Sequence, residues 1–96
     1  MRMAEESAAR DYQAEADAYL AQLTAGLSPE EVALALALLA NRAATRLHNL
    51  ARAESASRKG TPEWPSWAAL QNAARNVVLQ TSTGRDLAAR LAGRRR

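Results

Sequence analysis

The chain contains no cysteine, phenylalanine or isoleucine, and its 96 residues include one lysine, one histidine, three valines, three prolines and four glycines. Without a thiol there is no disulfide framework, no zinc finger and no cysteine nucleophile. With His48 as the lone imidazole, a serine triad has one histidine to draw on, and no serine sits in a nucleophile-elbow context. Gly26, Gly60, Gly84 and Gly93 are far apart, so no glycine-rich loop cradles a phosphate. Asp11 and Glu15 share a helical face but have neither a histidine one turn away nor a second acidic helix opposite them, so no metal and no cofactor are expected. The longest apolar run, Val32 to Ala40, is nine residues. That is about half the ~20 needed to span a bilayer. The first ten residues carry Glu5 and Glu6 and lack the apolar stretch of a secretory signal, which makes a soluble cytoplasmic protein the expectation.

What is present is alanine. It supplies 24 of the 46 hydrophobic residues, leaving 22 larger ones, 13 of them leucine. Alanine, leucine, arginine, glutamate and glutamine favour helix over strand. So few large apolar groups in so short a chain make a thin core, which points to further burial by self-association, as a homodimer.

The periodicity predicts an all-α bundle in a single domain over 1–96, with main helices at about 4–25, 29–58 and 66–81, a short C-terminal helix at about 84–92, and a basic tail at 94–96. In the first helix Ala8, Tyr12, Ala16, Tyr19, Leu20, Leu23 and Leu27 recur at helical spacing on one stripe. Gly26 is placed to end it in a left-handed conformation at the position after the cap. Ser28-Pro29-Glu30-Glu31 then reads as a capping box with proline at the first helical position, and Leu27 and Val32 as a hydrophobic staple. The second helix meets no breaker before Gly60; its Val32–Ala40 half is apolar on all sides, as in a helix surrounded by others. Beyond Asn41, Leu47 and Leu50 continue the apolar side while Arg42, Thr45, Arg46, Asn49 and Arg52 form a polar face. Residues 55–65 read as a loop. In the third helix Trp67, Leu70, Ala74, Val77, Val78 and Thr81 share a face, and Thr81-Ser82-Thr83-Gly84 reads as a break before a last helix with Leu87, Ala88 and Leu91 inward. No heptad long enough for a coiled-coil rod stands out.

Charge is unevenly spread: residues 1–31 sum to −5 and residues 32–96 to +8. An antiparallel first pair of helices brings Glu5, Glu6, Asp11 and Glu15 near Arg42, Arg46 and Arg52, so that one half neutralises the other.

Three functions compete. The leading one is a non-enzymatic interaction or regulatory protein that self-associates and meets an unidentified protein partner through Val32, Leu36, Leu39, Trp64 and Trp67; large aromatics concentrate at such interfaces and in thin cores. The alternative is nucleic-acid binding through Arg42, Arg46, Arg52, Arg90, Arg94, Arg95 and Arg96, with phosphate neutralisation as the driving term. Third, Arg42 and His48, with five residues between them, satisfy the Arg-x(4 to 6)-His spacing of HEPN-like ribonucleases, and this segment resembles that family in that respect alone. The resemblance implies a helical dimer that brings two such pairs together, the imidazole handling protons and the guanidinium stabilising phosphate charge.

Overall fold

The structure, a computed structural model, describes residues 10–94. Among them are three helices and no strand: α1 (Tyr12–Thr24), α2 (Pro29–Ser57) and α3 (Trp64–Arg94). The all-helical expectation holds, and α2 matches its expected span to within a residue. Residues 4–9 of the expected first helix lie outside the described residues; Arg10 and Asp11, also expected in it, are not helical, because Asp11 in extended conformation caps a helix that starts at Tyr12.

Asp11 caps α1, its side chain accepting from the Ala14 N–H at 2.9 Å. The chain leaves α1 through Ala25, at φ −61° and ψ 131°, and Gly26, at φ +76°, and the Leu27 N–H donates back to the Thr24 carbonyl at 3.3 Å. These angles are those of a type II turn with glycine at its third position. Gly26 is therefore left-handed as expected, but in a turn beyond the helix rather than in a helix-capping motif. The expected capping box opens α2: the Glu31 N–H donates to Ser28 Oγ at 3.2 Å, and the Ser28 N–H to Glu31 Oε1 at 3.0 Å.

α3 begins at Trp64, two residues before the expected start, and does not stop at Thr81–Gly84. At its start the Trp64 N–H donates to the Thr61 carbonyl and the Trp67 N–H to the Glu63 carbonyl, and Pro65 sits in the first turn, where a missing N–H costs no helical bond. The expected short fourth helix is the second half of α3. Thr81 Oγ1 donates to the Val77 carbonyl at 2.7 Å and Ser82 Oγ to the Val78 carbonyl at 2.9 Å, so these hydroxyls bond one turn back instead of competing with the helix. Gly84 keeps a negative φ.

The long helices α2 and α3 run antiparallel and share an extensive contact, α1 meets α2 alone, and α1 and α3 do not touch. The α2–α3 seam is legible in the sequence on α3, where Trp67, Ala74, Val78 and Thr81 share the expected face, but not on α2, where its residues are small or polar. Asn41, Ala44, His48, Ala51, Ser55 and Arg58 on α2, and Trp67, Gln71, Ala74, Val78, Thr81, Arg85, Ala88 and Ala92 on α3, alternate at steps of three and four, a heptad seam built without leucine. Among the described residues the buried ones are Ala44, Ala51, Ala74, Ala88 and Asn41, and no large side chain is fully buried. At mid-seam Asn41 Nδ2 lies 3.2 Å from the Val78 carbonyl, 3.0 Å from Thr81 Oγ1 and 3.3 Å from Ser82 Oγ, while its Oδ1 accepts from Arg85 Nη1 at 3.2 Å. A single satisfied polar layer of this kind fixes the register of two helices whose alanines pack almost equally well at other offsets.

Candidate interaction surfaces

The molecule measures 52 × 32 × 13 Å, with a radius of gyration of 17.1 Å. A compact chain of this length has a radius of about 12–13 Å. The short dimension is that of roughly one helix. The three helices form a raft with α2 in the middle, whereas a stable domain packs two layers against each other.

The heptad register sorts side chains onto the two faces of the α2–α3 hairpin. One face is apolar. Ala40, Ala43, Leu47, Leu70, Ala73 and Val77 line an open groove of about 310 Å³ there, and the same positions carried along both helices add Leu36 and Leu50 on α2 and Leu87 and Leu91 on α3. Leu50 is 53% exposed, Leu87 51% and Val77 43%. At these face positions no charged residue occurs from 33 to 50 on α2 or from 70 to 91 on α3.

The opposite face is polar. A second open cleft of about 310 Å³ is lined by Thr45, His48 and Arg52 from α2 and by Gln71, Asn72, Arg75, Val78 and Leu79 from α3. Gln71 Oε1 accepts from Ser55 Oγ across the seam at 3.3 Å.

Of the five expected interface residues, Leu36 alone lies on the open apolar face. Leu39 lines a cleft with Tyr19, Leu23, Ala35, Leu38 and Arg42, where α1 rests on α2, and Val32 is half-buried seven residues earlier on the same stripe. The Val32–Ala40 half thus meets α1 along one side, while Leu36 stays exposed. Trp67 is a half-buried seam residue with the Arg58 guanidinium 5.4 Å from its ring centroid, and Glu54 holds that guanidinium at 2.8 Å. Trp64 is exposed at the start of α3.

The arginines are not neutralised by α1. Glu15 pairs with Arg10 at 2.8 Å through both carboxylate oxygens, and that guanidinium holds its carboxyl below the usual carboxylate range. Among the described residues Arg42, Arg46, Arg52, Arg75, Arg90 and Arg94 make no ion pair. Glu5, Glu6, Arg95 and Arg96 lie outside the described residues. Arg42 and His48 open onto different clefts, Arg42 toward Tyr19 and Leu23, His48 toward Arg52 and Arg75. Among the described residues no group of three histidines, carboxylates or cysteines is arranged to hold a metal, and no helix is long and apolar enough to cross a membrane.

No protein family, no curated protein and no solved structure matches this chain.

The apolar face as a whole is not legible in the sequence, because its leucines have the spacing of a chain's own core. Leu47, Leu50, Val77, Leu87 and Leu91 do occur at helical spacing, but the spacing does not say whether the helix covering them belongs to the same chain.

Proposed function

We propose that the protein is a non-enzymatic interaction module that works as a homodimer, two hairpins stacking through their apolar faces into a two-layered bundle. The observation that carries this reading is a raft one helix thick whose apolar face is open and uncharged. A second copy suits it for two reasons. Two-fold stacking of this face on itself brings no like charges together, as an isologous contact requires. The exposed surface is 7437 Å², about 2,000 Å² more than a compact protein of 10.4 kDa presents, and a standard interface removes about 800 Å² from each partner. The dimer leaves the polar face outward for other partners.

Sedimentation equilibrium at micromolar concentration is expected to return about twice the 10.4 kDa chain mass. A monomer mass throughout the micromolar range would overturn the proposal. The ribonuclease reading has less support, since Arg42 and His48 do not share a cleft; nucleic-acid binding draws on the unpaired arginines of the polar face, and their local geometry favours a smaller ligand.

A further inference from the structure

The cleft on the polar face is independent of the proposed dimer, because its residues lie on the flank of the seam opposite the apolar one. Two arginines and a histidine from different helices line it: Arg52 and His48 from α2, Arg75 from α3, together with Asn72. No carboxylate occurs anywhere in residues 32–53 or 64–85, a stretch that also holds Arg42, Arg46 and Arg85. Among the described residues neither Arg52 nor Arg75 has an ion-pair partner. Both arginines are exposed and line one cleft whose lining holds no carboxylate, so an anion bound there would offset the repulsion between two like charges.

We propose that this cleft binds a small phosphate monoester. A phosphate presents three acceptor oxygens and close to two negative charges at neutral pH, which matches two guanidinium forks and a ring N–H better than a single carboxylate does. Val78 and Leu79 add an apolar wall against which the organic part of the ester rests. The volume, about 310 Å³, is at the lower end for small-molecule sites. Single-stranded nucleic acid is the poorer fit, because binding sites for it stack successive bases on aromatic rings and no tryptophan, tyrosine or phenylalanine lines this cleft.

The test is a titration of the full-length, ¹⁵N-labelled protein with adenosine monophosphate, inorganic phosphate, adenosine and a short oligothymidylate, followed by amide and arginine side-chain resonances. Adenosine monophosphate is expected to give saturable shifts confined to residues around Arg52, His48, Asn72 and Arg75, with inorganic phosphate competing and adenosine inert. Arg52→Ala and Arg75→Ala should each weaken binding about tenfold, while Arg46→Ala should not. Both side chains are exposed, so unchanged far-UV dichroism is expected to accompany the loss; competition by inorganic phosphate in the unaltered protein tests the site without any variant. The proposal is overturned if adenosine monophosphate shifts nothing up to about 10 mM. It is also overturned if adenosine binds as well as its phosphate, or if the oligonucleotide alone binds and Arg46→Ala weakens it as much as Arg52→Ala.

Discussion

Leu47→Asp is expected to dissociate the protein and lower its melting temperature in the same sample. In the single chain Leu47 is 39% exposed, on the apolar groove beside Val77, and a charge there would cost little. In the dimer the substitution occurs twice, in each copy removing a buried leucine worth about 1.5–3 kcal/mol and leaving a carboxylate without a partner. A combined loss of about 4 kcal/mol weakens self-association roughly a thousandfold, enough to give monomer at micromolar concentration. Thermal stability should fall with it, because the separated raft has no fully buried large side chain to sustain it. Leu79→Asp is the control. Leu79 is more exposed, at 61%, but lies on the polar face, and its replacement should leave both mass and melting temperature unchanged. If Leu47→Asp behaved as Leu79→Asp does, the apolar face would be open in solution.

The second large effect is expected inside the hairpin. Ala51 is 0% exposed and belongs to the seam that also buries Ala74. Small residues there let the two backbones approach closely, so the methyl groups that destabilise the pair are added ones. Ala51→Leu should cost about 1–3 kcal/mol through overpacking. In a domain of this size that lowers the melting temperature by roughly 5–20 °C, read by dichroism at a fixed concentration. Ala53→Leu makes the same chemical change on an exposed position of the same helix and should shift stability by no more than about 0.5 kcal/mol. Equal melting temperatures for the two variants would mean that the seam is not closely packed.

These two results separate what the sequence made legible from what it concealed. The turn at residues 25–28 and the span of α2 were readable because glycine, serine, proline and glutamate each favour the same local geometry there. The sequence of α3 reads as two helices because Thr81-Ser82-Thr83-Gly84 has the composition of a break; the contacts that keep it helical are bonds to its own preceding turn and to Asn41, more than thirty residues away. The α2 side of the seam is hidden in the sequence because hydrophobic patterning finds heptads of leucine, and this side is made of alanine, asparagine, histidine, serine and arginine. The leucines belong to a face that, among the described residues, is left open. The expectation of self-association rests on too few large apolar residues and on a Val32–Ala40 segment apolar on all sides; the structure adds that Leu47, Leu50, Val77, Leu87 and Leu91 are exposed, outside the intramolecular contact. The arginine groups were legible as basic, but the cleft that joins Arg52, His48 and Arg75 depends on the register of two helices, which Asn41 and its partners set.

The central claim, that a second copy covers the apolar face, is tested most directly by hydroxyl-radical footprinting of the leucines and valines across a dilution series. On this account Leu47, Leu50, Val77 and Leu87 are protected at high micromolar concentration and become reactive on dilution toward the monomer, while Leu79, on the polar face, reacts equally at every concentration. Reactivities that follow single-chain exposure throughout the series, with Leu50 and Leu87 modified nearly as readily as Leu79, would contradict it.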